Sequence, residues 1–149
     1  MTKDGSFIVL FRDNKREEVF LVKRSDLPLW VLTGGSIENK ETPKNAGIRE
    51  AGEETGFRIK FVRKIGVYHI VDSGEKIVRK TYLFEGRVIS GDFRPEFPGC
   101  LGQWFPVESL PKEITEATIE KIKNAKRQPL NTTFVKKRSE SVFRTYLPH

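Results

Sequence analysis

Cysteine is almost missing from this chain: Cys100 alone in 149 residues. That rules out an intramolecular disulfide and fits a reducing compartment, so a cytoplasmic protein is expected. Histidine is nearly as scarce, with only His69 and His149. No Cys or His stands at metal-ligand spacing, which excludes the usual zinc arrangements. Neither histidine is placed to activate Cys100, so the thiol reads as a loop or half-buried group. Long apolar runs are lacking too; none approaches the roughly 18 residues of a membrane span. The start, Met1 to Gly5, has no apolar signal core. No membrane partner is expected. Repeats and low-complexity stretches are absent. Acidic residues are scarce at one end: from Lys121 onward there are eight Lys or Arg and a single acid, Glu140.

What is present is ordinary globular material. Hydrophobic residues make up 37% and charged residues 32% of the chain, and 149 residues predict one domain with a buried core. The net charge of +7 attracts polyanions such as nucleotides or RNA. Much of that charge lies in a basic C-terminal extension, residues 128–149. There Phe134, Val135, Val142, Phe143, Tyr146 and Leu147 supply apolar grip, either folded back or shared with a partner chain, which leaves a homodimer open.

The richest stretch runs from Gly35 to Phe57. Thr42 suits a helix N-cap, Pro43 the first turn and Gly56 the stop, so a helix of about 12 residues is predicted between them. On it Glu50, Glu53 and Glu54 stand at i, i+3 and i+4 and share one face. Ala46 and Gly47 lie a turn earlier on that face, and Ile48, Ala51 and Thr55 form the core-facing stripe. Three adjacent carboxylates repel one another unless a positive group sits among them. Arg49 reaches Glu53 at i+4. Either this is a solvated acidic face with ordinary ion pairs, or its oxygen ligands hold a hard cation such as Mg²⁺ or Mn²⁺.

The pattern decides between them. Gly35, five residues, Glu41, seven residues, then Arg49-Glu50-Ala51-any-Glu53-Glu54-any-Gly56-Phe57 resembles the Nudix box at every fixed position. The chain is therefore identified as similar to the Nudix hydrolases over about residues 6–127. The resemblance implies an α/β fold, the Nudix α/β/α sandwich with a mixed, mostly antiparallel sheet. It implies Mg²⁺-dependent cleavage of a diphosphate linked to another group, with Mn²⁺ as a substitute. Glu50, Glu53, Glu54 and the Gly34 carbonyl are the implied metal ligands, with Glu96 as a further loop candidate. Glu53, Glu50, Arg49 and Glu41 are the implied catalytic group. Arg24, at a strand end, is the phosphate candidate, beside Gly35 and Lys40. Two positions depart from the family pattern: Thr33 replaces a usual proline, and Lys40 a usual glycine.

Around the box, residues 6–24 predict a β-hairpin turning at Asp13-Asn14-Lys15. Residues 57–71 and 77–89 predict a second hairpin, turning at Asp72 to Glu75. Its Tyr68 and Tyr82 are candidates to stack on a base, although aromatics there are more often core. Residues 91–102 read as a loop and residues 114–126 as a helix ending before Pro129. Of the markers for particular Nudix substrates, Asp72 stands where some ADP-ribose hydrolases have proline. Ser73 to Glu75 stand where some dinucleoside polyphosphate hydrolases have tyrosine. A nucleoside triphosphate of the MutT type is thus the expected substrate. The alternatives are an RNA 5′-end pyrophosphohydrolase and a non-catalytic nucleotide-binding module.

Overall fold

A computed structural model describes residues 3–127 and 132–137. Ten elements follow in order: β1 (Gly5–Leu10), β2 (Glu18–Lys23), β3 (Trp30–Val31), β4 (Thr33–Ser36), α1 (Pro43–Thr55), β5 (Arg58–Val71), β6 (Ile77–Ser90), β7 (Leu101–Pro106), α2 (Glu116–Lys126) and β8 (Thr132–Lys137). A five-stranded sheet has the order β4-β1-β6-β5-β8, and a three-stranded sheet has β3-β2-β7. β1 runs parallel to β6 and β8 parallel to β5; the other ladders are antiparallel. The helices lie on opposite faces of the large sheet. Ala51 of α1 packs with Ile8, Leu10 and Phe84, whereas Ile122 of α2 packs with Val9, Ile65 and Leu83. This is an α/β/α sandwich, as expected. Among the described residues no helix is long and apolar enough to cross a membrane.

The first hairpin does not form. β1 and β2 belong to different sheets, and only Phe11, just past β1, makes an isolated bridge to Val19. The reason is burial on both faces: Ile8, Leu10, Phe20 and Val22 enter one core, while Val9, Phe11, Val19 and Leu21 enter the other. A paired hairpin with one wet face could not bury both sets. The second hairpin does form, with Asp72 Oδ1 accepting from the N–H groups of Gly74 and Lys76 at 2.9 and 3.0 Å. Residues 132–137 of the basic extension add an edge strand, and Phe134 stacks on Tyr68 with centroids 4.6 Å apart. Val142, Phe143, Tyr146 and Leu147 lie outside the described residues.

The box helix starts and stops where its caps dictate. Thr42 accepts from the Asn45 N–H at 3.2 Å, and Gly56 closes the helix at φ 76°. Its buried stripe is Ala46, Gly47, Ala51 and Thr55, while Ile48 is only partly buried. Gly47 therefore faces β1 rather than the acidic face. A Cβ there would stand 2.8 Å from Ser6 Oγ, so the missing side chain lets α1 lie close on the sheet.

Candidate active site

The chain passes between the two sheets at residues 30–36, with Leu32 at the crossing. Thr33 is fully buried and donates its hydroxyl to the Ile8 carbonyl at 3.1 Å. With Thr33 paired to Ile8 in the ladder, the backbone path has no need of the family's proline. Two glycines follow because nothing larger fits. At Gly34 a Cβ would overlap the Ser6 carbonyl and the Phe7 ring, and at Gly35 it would fall 2.6 Å from the Glu50 carboxyl carbon. The glycine pair thus opens the gap into which α1 projects its acids.

Arg49 organises those acids. Its Nε and Nη2 donate to the two oxygens of Glu41 at 2.6 and 3.0 Å, and its Nη1 reaches Glu50 at 3.1 Å and Glu53 at 3.3 Å. The guanidinium holds the Glu41 carboxyl below the usual carboxylate range. Glu54 points inward, accepting from the Gly34 N–H at 2.7 Å. Burial, then the negative charges of Glu50 and Glu96, lifts its carboxyl to about 8 against the Gly34 hydrogen bond and the Arg24 charge, which oppose the rise. Glu50 is raised as well, chiefly by burial.

These groups border a cleft of about 410 Å³ lined by Lys23, Arg24, Asp26, Gly34, Glu50, Glu54, Glu96, Phe97 and Cys100, among others. The cleft brings Arg24, Gly34, Glu50, Glu54 and Glu96 together. Arg49, Glu53 and Glu41 support it from the outer side of α1. Glu53 is half exposed, at 46%.

Three expected substrate contacts fall elsewhere. Tyr68 is withdrawn: it is 2% exposed in the core, and its hydroxyl accepts from Asn124 Nδ2 at 2.7 Å. Tyr82 packs against the α1-side core and does not line the cleft. Lys40 is exposed and also outside the cleft. Its φ is 66°, the left-handed conformation that suits the glycine usual there and strains a lysine.

Phe97, 61% exposed at the cleft edge, is not among the expected site residues. An aromatic set between Pro95 and Pro98, beside Glu96, was the available signal. Nor is Asp26 among the expected residues; its carboxylate takes a hydrogen bond from Arg24 Nε at 2.8 Å and so holds the phosphate candidate.

The acids as arranged are not a closed ligand shell. Among the described residues no three His, Cys, Asp or Glu side chains stand close enough to grip a metal ion. Glu50 and Glu53 face Arg49, and Glu54 faces Gly34. The donor set nevertheless suits a hard divalent cation. It is all oxygen, and its most buried member, Glu54, is raised first by burial and then by the charges of Glu50 and Glu96, which a cation would balance.

The NUDIX domain model matches residues 1–126. A provisionally assigned 8-oxo-dGTP diphosphatase of Bacillus subtilis is 33% identical over 112 residues, covering 74% of this chain and 71% of that one. Human diphosphoinositol polyphosphate phosphohydrolase 3-alpha is 32% identical over 116 residues, covering 75% and 69%. In fold, the chain resembles a MutT NUDIX hydrolase from Burkholderia pseudomallei, with a TM-score of 0.68 at 24% identity over 82% of this chain and 96% of that one.

Proposed function

The chain belongs to the Nudix family and is a hydrolase of phosphorus-containing acid anhydrides, and on that premise we propose that it is a Mg²⁺-dependent nucleoside triphosphate pyrophosphohydrolase of the MutT type. The observation that carries this reading is the convergence of Glu50, Glu54 and Glu96 on one cleft beside Gly34.

Glu50, Glu53, Glu54 and the Gly34 carbonyl would hold the metal, with Glu96 as a further ligand or base. Mg²⁺, or Mn²⁺ in its place, would supply Lewis-acid polarisation of phosphoryl oxygens and a more acidic water. The chain's own residues do the rest. Arg49 fixes the rotamers of Glu50 and Glu53 while Glu41 anchors Arg49, an outer-shell support for the acids. A carboxylate of this group takes the proton from the attacking water. Arg24 turns from Asp26 to a substrate phosphate, and Phe97 offers an exposed ring to a base.

Cleft charge favours a nucleotide over a densely phosphorylated inositol. Among the described residues Lys23 and Arg24 are its only cations, set against Asp26, Glu50, Glu54 and Glu96. The Bacillus relative, described as acting on 8-oxo-dGTP, points the same way. The test is a substrate panel scored by phosphate and pyrophosphate release, with Mg²⁺, with Mn²⁺ and with excess chelator. Nucleoside triphosphates, including oxidised ones, should lead, and chelator should abolish turnover. Preference for a diphosphoinositol polyphosphate or a 5′-triphosphorylated RNA would overturn the substrate assignment, and full activity in chelator the metal assignment.

A further inference from the structure

The α2 side of the large sheet, away from the cleft, carries a second charged cluster. On β6, Arg79 shares a face with Leu83, which packs against α2. Its guanidinium lies over Gly5: a Cβ built at Gly5 would fall 2.6 Å from Arg79 Nη2 and 3.5 Å from the Phe7 ring. Lys121 of α2 stands above the same ring, with Nζ 5.9 Å from the Phe7 centroid and 5.1 Å from that of Tyr68. Arg79 and Lys121 thus flank one aromatic floor, which Phe134 of β8 extends by stacking on Tyr68.

Neither cation has an acidic partner among the described residues. Arg79 Nε is buried with no acceptor, and it alone among buried side-chain polar atoms of those residues lacks one. A buried donor without an acceptor is destabilising, so an orphan calls for a missing partner. Among the described residues Lys121 makes no ion pair; the neighbouring carboxylate of Glu120 is paired with Lys136 Nζ at 2.5 Å. Asp4, next to Gly5, accepts from the Lys80 N–H at 2.9 Å. With Arg79, Lys121 and Lys136 positive and Glu120 and Asp4 negative, the cluster keeps a net charge of +1. Burial, reinforced by the nearby Arg79 and Lys136, draws the Lys121 ammonium down to about 8 despite Glu120.

We propose that Arg79 and Lys121, bordered by Lys136, form a binding site for a small phosphate-type oxyanion on the sheet face opposite the catalytic helix. The ligand chemistry follows from the donors. A guanidinium Nε with no acceptor and an ammonium border the same aromatic floor, and a tetrahedral oxyanion accepts from both kinds of donor. A side chain at Gly5 would collide with the Arg79 guanidinium, so glycine is what lets that guanidinium lie over β1. The site is separated from the cleft by the sheet, so it takes free phosphate or a phosphoryl group independently of the reacting diphosphate.

The test uses the full chain in excess chelator, with inorganic phosphate titrated at constant ionic strength and melting temperature as the readout. A saturable upward shift is expected with phosphate and sulfate and not with chloride. Lys121→Met keeps the stem over the rings and removes the charge. It should raise the melting temperature without phosphate, because an unpaired cation is gone, and should weaken the phosphate response by more than about tenfold. Arg79→Gln should weaken it similarly, while Arg24→Ala, in the cleft, should leave it intact. Nucleotide turnover by Lys121→Met at saturating substrate should match the parent. Absence of a phosphate shift in the parent would overturn the proposal, whether water or a carboxylate of the chain's own fills the site. So would an undiminished shift in both Lys121→Met and Arg79→Gln, or its loss in Arg24→Ala.

Discussion

Glu54→Gln should remove most of the pH dependence of stability between pH 5 and 9 in the metal-free protein. The Glu54 carboxyl rises from an ordinary 4.5 to about 8, first through burial and then through Glu50 and Glu96. A raised carboxyl binds its proton more tightly in the folded state. Its contribution is therefore fully present below the unfolded value of 4.5 and is lost as pH climbs through about 8. At about 1.4 kcal/mol per pH unit, the span between those values sets a ceiling of about 5 kcal/mol. The cleft is open to water, and screening brings the expected loss to roughly half of that. Glutamine keeps the acceptor for the Gly34 N–H and cannot ionise. Denaturant melts in chelator at a series of pH values provide the assay. The parent should lose about 2–3 kcal/mol more than the variant on going from pH 5 to 9. Added Mg²⁺ should restore the parent at high pH and leave the variant less affected. Parallel pH profiles for the two proteins would refute the reasoning, because Glu54 would then ionise in the cleft without cost.

Glu53→Gln should abolish turnover, with metal-free melting temperature equal to or above that of the parent; near-full activity would remove Glu53 from the metal and catalytic sets. Lys40→Gly relieves the left-handed φ of 66° and should stabilise the fold by about 1 kcal/mol in denaturant melts without changing turnover. Glu85→Gln should destabilise by about 3–5 kcal/mol. The Glu85 side chain is 0% exposed, and Arg16, Arg63 and Arg87 reach it at 3.1, 2.6 and 3.1 Å. A loss below about 1 kcal/mol in equilibrium unfolding would mean the three guanidiniums are already satisfied by water.

Local chemistry was readable wherever it was local. Thr42, Pro43 and Gly56 bound the box helix because caps act within a turn, and Asp72 marks its hairpin because an Asx side chain closes on its own backbone. The β1–β2 pairing differs from expectation because the Asp13-Asn14 turn signal is equally local, whereas the partners of β1 are β4 and, 76 residues on, β6. Alternation could not help, since both faces of both strands are buried. Tyr68 failed for a related reason: a tyrosine on a strand reads the same whether its hydroxyl meets solvent or Asn124. The box placed Glu50 and Glu54, but not their neighbours Asp26 and Phe97, which arrive on separate loops. The Glu85 cluster was invisible for the same cause, joining residues 22 and 69 positions apart.

The edge position of β8 bears on handling as well as on structure. Pairing with β5 from Gly66 to Val71 occupies backbone groups that would otherwise face outward along a long strand. A chain trimmed after Arg127 leaves that row open, with Tyr68 beneath it deprived of the Phe134 ring. Open edges of this kind recruit further strands from other molecules. Such a trimmed protein is a polymerisation hazard even if each copy folds, and inactivity after trimming would have to be separated from precipitation by light scattering before it says anything about catalysis.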